Sequence, residues 1–240
     1  MTYKAIIVSD LHLGTEDSKT KEFLDFLHTH KTELLILNGD IVDGWALDRG
    51  SKWKKRHTAV IQELLKLSCR IPVVWLPGNH DEFLRDIVPF TIGNIQLAEE
   101  YEYTSPSGLR YLIFHGDVLD IFTSRFKWIG KIGSIGYNWL LWMNTLYNQY
   151  RKWRGLPYFS LSKKIKQNVK SAVSFIEDFE ENAVRLAKDR NFDGVICGHI
   201  HKHEHRMLNE THYINSGDWV ESMTAILIDE EGRITFYEHR

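Results

Sequence analysis

The chain has 240 residues, 43% of them hydrophobic and 26% charged, with a formal net charge of −2. That is enough apolar material for one large domain or a domain with an insertion, and the balance of charge excludes an acidic tail protein or a bulk polyanion binder. No run reaches the roughly 18 apolar residues of a membrane span, and the opening MTYKAIIVSDLHLG lacks a signal-peptide pattern.

In chain order, Lys4–Ser9 (KAIIVS) predicts a strand that runs into DLH, and Lys19–Thr29 has helical periodicity. Leu34–Leu37 (LLIL) predicts a strand ending in NGD, and Trp53–Leu67 a second helix. Val73–Leu76 (VVWL) leads into PGNHD, and Tyr111–Phe114 (YLIF) into HGD. A third helix is predicted over Ala172–Asp189, where Val173, Ile176, Phe179, Ala183, Val184 and Ala187 form a stripe. Gly194–Cys197 (GVIC) leads into GHIH. Thr211–Ile214, Met223–Ile228 and Ile234–Glu238 are expected to form a more antiparallel sheet, with a turn at Glu230–Gly232. Short apolar runs alternating with helices define an α/β protein with covered sheets. Cys69 and Cys197 form no CxxC pair and read as reduced, buried thiols, which suits a cytoplasmic protein.

One segment departs from this rhythm. Between Arg125 and Lys170 there are ten Lys/Arg and no Asp/Glu, leaving 20 basic and 32 acidic residues elsewhere. Trp128, Trp139, Trp142 and Trp153 fall in the same segment. It reads as helical hairpins, an insertion at about 121–170 in a single domain spanning 1–240. Lys163, Lys166 and Lys170 share one helix face, where they are candidates for contact with a substrate phosphate. The basic aromatic face has three readings: core or subunit interface, contact with acyl chains and anionic headgroups, or stacking of single-stranded bases. Nothing else in the chain resembles a nucleic-acid fold, so no nucleic-acid partner is expected.

Five strand ends carry Asp10-x-His12, Gly39-Asp40, Gly78-Asn79-His80-Asp81, His115-Gly116-Asp117 and Gly198-His199-x-His201. The set offers oxygen and imidazole donors with no thiolate, which suits manganese, iron, zinc or nickel. In extended backbone, residues i and i+2 face one way, so Asp10 with His12, and His199 with His201, can each present two donors to one site. Loops at the same ends of neighbouring strands converge, as in other open α/β sheets. Any one of these clusters alone is weak evidence, since an HxH pair is commonly a surface feature and NGD a turn.

The ordered set DLH…GD…GNHD…HGD…GHIH resembles the calcineurin-like metallophosphoesterase superfamily, over Asp10 to His201. The resemblance implies a four-layer α/β-β/α sandwich and a site for two divalent metal ions, manganese first, with iron, zinc or nickel as alternatives. It implies Asp10, His12, Asp40 and His201 on one metal, and Asp40, Asn79, His115 and His199 on the other, with Asp40 bridging. His80 would be an acid beside the metals, oriented by Asp81. His203 and His205 lie beyond the motif and read as strand or loop residues.

Within the superfamily, DLHLG, Gly39–Trp45 (GDIVDGW), HGD, the insertion and Asn215–Trp219 (NSGDW) resemble the UDP-2,3-diacylglucosamine hydrolases of lipid A synthesis. That resemblance implies cleavage of a pyrophosphate to UMP and 2,3-diacylglucosamine 1-phosphate, by a cytoplasmic protein peripheral on the inner membrane, with the insertion as a lid. One departure matters: the family pattern is GNRD, and here His80 stands where Arg would be. A sugar phosphate leaves as a stable anion, whereas an alkoxide leaving group benefits from a general acid such as His. His80 therefore keeps open a broader phosphomonoesterase or phosphodiesterase. A non-catalytic scaffold is a third reading, opposed by the fact that every motif position is filled.

Overall fold

Branched aliphatic runs without interior charge build strands that are buried on both faces. The computed structural model describes residues 2–121 and 161–239, and side chains outside 120–174. The elements are β1 (Thr2–Tyr3), β2 (Ala5–Val8), α1 (Thr20–Thr29), β3 (Lys31–Thr32), β4 (Leu35–Asn38), α2 (Gly44–Asp48), α3 (Lys55–Ser68) and β5 (Val73–Leu76). They continue with β6 (Phe90–Ile92), β7 (Ile95–Leu97), β8 (Tyr101–Thr104), β9 (Arg110–Ile113) and α4 (Leu161–Asp189). The chain closes with β10 (Gly194–Cys197), β11 (Glu204–Leu208), β12 (Thr211–Asn215), β13 (Thr224–Ile228) and β14 (Ile234–Glu238).

Two sheets carry the fold. A seven-stranded sheet has the order β14-β13-β2-β4-β5-β7-β6 and a five-stranded sheet the order β11-β12-β10-β9-β8. The middle of each is parallel, β2-β4-β5-β7 in one and β12-β10-β9 in the other, with antiparallel strands at the edges. In β2, Ile6 and Val8 pack with Phe23 and Phe26 of α1 and Val60 and Leu64 of α3. Ala5 and Ile7 face the other way and pack, with Ile36 and Val74, against Tyr111, Ile113, Ile196 and Ile214 of the second sheet. Each fully buried Ile contributes about 1.5–3 kcal/mol of transfer free energy. On the outer face of the five-stranded sheet, Leu112, Val195 and Tyr213 are also buried, as are Ala183, Val184 and Ala187 of α4. Alternation of elements predicts the covered α/β sheets, and the family resemblance implies the sandwich that the two sheets form.

Three expectations change. Thr211–Ile214 does not share a sheet with the two strands that follow it: β12 pairs with β10, while β13 pairs with β2 and β14. The chain crosses between sheets at Ser216–Asp218, where Ser216 N–H donates to the Cys197 carbonyl (2.9 Å) and Thr224 N–H to the Asp218 carbonyl (3.0 Å). The third helix begins at Leu161, well before its apolar stripe. Cys69 is exposed, at the end of α3, and only Cys197 is buried.

The chain divides into two compact units, Met1–Leu119 with Glu181–Arg240, and Asp120–Glu180. The aromatic and basic positions of the expected insertion up to residue 160 lie outside the described residues. Lys163, Lys166 and Lys170 are on α4, and their side chains lie outside them too. Among the described residues no helix is long and apolar enough to cross a membrane.

Candidate metal centre

Each motif follows directly on the C-terminal end of a strand: β2, β4 and β5 from one sheet, β9 and β10 from the other. The backbone there is unusual. Asp10 (φ 55°), His12 (φ 49°), Asp40 (φ 55°), His199 (φ 69°) and His201 (φ 54°) are all left-handed. Such a conformation is uncommon for residues other than glycine and costs of order 1–3 kcal/mol each. Cross-strand hydrogen bonds hold it: Asp10 N–H to the Gly39 carbonyl (3.0 Å), His12 N–H to the Asp40 carbonyl (2.9 Å) and Gly198 N–H to the His115 carbonyl (2.9 Å). The loops also approach closely. A Cβ on Gly39 would sit 2.3 Å from the His115 ring, and one on Gly78 would sit 2.2 Å from Asp40 Oδ1.

The side chains form overlapping groups with ligand atoms within 4.8 Å of one another: Asp10, His12 and His201; Asp40, His115 and His199; and His12, Asp40 and His80. His201 Nε2 is 3.1 Å from Asp10 Oδ1, and His12 Nε2 is 3.4 Å from His201 Nε2. Asp40 Oδ2 is the shared atom, 3.3 Å from His115 Nε2, 3.9 Å from His12 Nε2 and 4.0 Å from His80 Nε2. Asp40 Oδ1 is taken by the His80 amide (2.8 Å).

The far sides of the His115 and His12 rings are fixed. His115 Nδ1 lies 2.9 Å from the Asn38 carbonyl, which makes Nδ1 a donor and leaves Nε2, facing Asp40, as the atom that would give up a proton to a cation. His12 Nδ1 lies 3.2 Å from Asp43 Oδ2. Asp10 Oδ1, Asn79 Oδ1 and His115 Nε2 are buried and make no hydrogen bond among the described residues. Buried polar atoms rarely go unsatisfied, and these converge with the other donors. The set is carboxylate, amide oxygen and imidazole, and it fits divalent cations.

Electrostatics agree. Burial alone would push the Asp10 carboxyl up, yet His201, His115 and His12 together hold it well below the usual range. Asp40 responds the same way, its burial outweighed chiefly by His115, to about 2. Burial would lower the imidazoles, but Asp10 pushes His201 up to about 9, and Asp40 and Asp10 push His115 well above its ordinary value. Without a cation, the site holds protons where a cation would bind.

The structure brings together Asp10, His12, Asp40, His115, His199 and His201, with Asn79 and His80 on the adjoining loop. Asp81 is elsewhere engaged. It is fully buried and accepts from the amides of Gly78 (2.6 Å), Asp40 (3.1 Å) and Ile41 (3.0 Å). Burial and the Asp40 charge raise its pKa, and the Gly78 amide opposes them. The carboxylate at the His80 ring is Asp43, whose Oδ2 is 3.0 Å from His80 Nδ1. Asp43 escapes a reading of motifs because Asp before Gly44 looks like a helix N-cap, and its Oδ1 does cap α2 through Ala46 N–H (2.6 Å). Trp45 lies against His80, with ring centroids 4.4 Å apart, and its indole N–H donates to Glu82 (3.0 Å). Beyond the motif, His203 is 3.4 Å from Glu238 and His205 is in β11 beside His212, apart from the three groups.

Residues 3–203 match the family model described as calcineurin-like phosphoesterase. The chain belongs to that family and is a phosphoester hydrolase. Among curated proteins it is similar to the UDP-2,3-diacylglucosamine hydrolase of Shewanella loihica, 27% identical over 233 residues, covering 93% of this chain and 91% of that one. The UDP-2,3-diacylglucosamine hydrolase of Neisseria meningitidis is 26% identical over 246 residues, covering 96% of each. A solved hypothetical protein from Pyrococcus horikoshii shares the fold, with a TM-score of 0.53 at 12% identity, over 99% of this chain and 88% of that one.

Proposed function

We propose that the chain is a two-metal pyrophosphatase of the UDP-2,3-diacylglucosamine kind, giving UMP and 2,3-diacylglucosamine 1-phosphate. The observation that carries the two-metal reading is Asp40 Oδ2, which lies 3.9 Å from His12 Nε2 of one ligand group and 3.3 Å from His115 Nε2 of the other. Asp10, His12, Asp40 and His201 would hold one cation, and Asp40, Asn79, His115 and His199 the other. When bound, two divalent cations, manganese first, supply charge neutralisation at the phosphoryl oxygens and lower the pKa of a water. Neutral Asn79 adds an oxygen without another negative charge, which keeps the site attractive to an anionic substrate.

Where the leaving group is an alkoxide, His80 would act on it as general acid. Burial would lower its pKa, but Asp43 and Asp40 outweigh burial and favour the imidazolium. With Asp43 at Nδ1, the Nε2 proton faces the site and is the one to transfer to a leaving oxygen. Trp45 lies against the ring and holds its orientation. Lys163, Lys166 and Lys170, on one face of α4, would contact a substrate phosphate. The basic aromatic insertion would serve as a lid for acyl chains and touch the inner membrane from the cytoplasm.

The Asp43–His80 contact favours a second reading, a broader phosphomonoesterase or phosphodiesterase, because a pyrophosphate bond has little need of an acid. Manganese-loaded protein and His80→Ala, assayed on UDP-2,3-diacylglucosamine and on a phosphodiester with an alkoxide leaving group, separate the two. The pyrophosphatase releases UMP at a rate that His80→Ala changes little. The broader esterase cleaves the diester, loses about 10²–10⁴-fold with His80→Ala, and releases no UMP.

A further inference from the structure

We propose that Arg85 is a positioning residue that sets the distance between Asn79 and His115, and with it the affinity for the second cation. The inference rests on the two-cation reading above. Asn79 follows β5 and His115 follows β9, so these two donors come from different sheets. Their spacing depends on how the two sheets' loops are held at this one edge.

Arg85 reaches both loops with one guanidinium. Nη2 donates to the Pro77 carbonyl (3.3 Å), two residues before Asn79, and to Asp117 Oδ1 (3.1 Å), two residues after His115. Nε donates to Glu99 (3.2 Å), which fixes the plane of the group. The Arg85 side chain is 28% exposed and that of Asp117 only 9%. A planar fork that satisfies several acceptors at once locks geometry in a way that a single ammonium cannot. The loops it joins are in close contact, since a Cβ on Gly78 would also sit 2.7 Å from His115 Cδ2. Arg85, Pro77, His115 and Asp117 also line a cavity of about 90 Å³. That space gives the His115 loop room to shift if the tie is cut. Asp10 is tied across the sheets without Arg85, since the His199 amide donates directly to its Oδ2 (3.1 Å).

The test is manganese uptake by metal-stripped wild type, Arg85→Ala and Arg85→Lys, followed by calorimetry and by the spin-coupled electron paramagnetic resonance signal of a manganese pair. Expected are two cations on wild type, and on Arg85→Ala one retained tightly and a second weakened about 10–100-fold. The coupled signal is then lost at stoichiometric manganese and returns at high manganese. Arg85→Lys, which keeps the charge and loses the fork, falls between them. Wild-type affinity for both cations in the two variants overturns the proposal, whatever happens to activity or thermal stability. Wild type that takes up one cation defeats the two-cation reading instead. Arg85 is then judged on that cation: weaker uptake by both variants supports its role, and unchanged uptake overturns it.

Discussion

Asp43 divides its oxygens between structure and chemistry. Oδ1 caps α2, and Oδ2 sits 3.2 Å from His12 and 3.0 Å from His80. Burial opposes its ionisation, but the His12 and His80 contacts hold its carboxyl well below the usual range. Asp43→Asn keeps the size and replaces one oxygen with an amide that donates, so both rings lose their acceptor. The expected outcome is metal affinity at the Asp10–His12–His201 group down about 10–100-fold, with the alkaline limb of the pH–rate profile for alkoxide esters, where His80 loses its proton, moved to lower pH. Titrating the stripped variant with manganese and repeating the pH profile at saturating metal check the two effects separately. At this scale the residues that the structure gathers into the candidate groups were legible because their order along the chain is specific. Asp43 and Arg85 were not, because an Asp before Gly and an Arg on a short turn have ordinary structural explanations.

Loops at strand ends are the element on which the site depends. Gly78 shows how tightly they are set, since an added Cβ meets Asp40 Oδ1 at 2.2 Å and the Asp40 amide at 2.7 Å. Gly78→Ala is expected to cost about 1–3 kcal/mol in denaturant unfolding, the usual price of overpacking, and to lower metal uptake with it. Gly93→Ala is the contrast: it adds a Cβ in open space at φ +58°, so it should cost the backbone strain and leave metal uptake unchanged. The strands that carry these loops were legible as unbroken aliphatic runs. Edge strands were harder: Glu204–Leu208 reads EHRML, with exposed polar positions and no clean alternation. The sheet to which β12 belongs could not be read either, because hydrogen bonds around Ser216 and Asp218, not local pattern, carry the chain across.

Two sheets pressed together give the whole molecule its stability, and Ile7 lies in that interface, fully buried. Ile7→Ala should cost about 2–5 kcal/mol, read as a lower unfolding midpoint in denaturant. Charge in the site adds a pH-dependent part in the metal-free protein. His201 (about 9) and His115 are raised, so their pairing with Asp10 and Asp40 contributes fully below the ordinary imidazole pKa of about 6.5 and is lost as pH rises through about 9. Asp40 is lowered, so the same pairing is present above about 4 and is lost as pH falls towards about 2. Melting of the stripped protein should therefore decline on the alkaline side between those values. Cation binding near neutral pH should release protons, measured as a dependence of calorimetric heat on the buffer's ionisation enthalpy, and the release should fade above about pH 9. An α/β protein with covered sheets was legible from the alternation of elements, and the sandwich of two sheets from the family resemblance that the five motifs carry together.

The left-handed backbone at Asp10, His12, Asp40, His199 and His201 bears on protein engineering. A designer who copied the ligands onto the ends of regular strands would aim their side chains in the wrong directions, because ideal backbones avoid positive φ outside glycine. Replacing any of the five by glycine would relax the chain and remove a donor in the same step. Stabilising this protein by smoothing its backbone and keeping its metal chemistry are thus competing aims at these positions. The transferable unit is the pair of sheets with their crossing hydrogen bonds, and the side chains travel only with it.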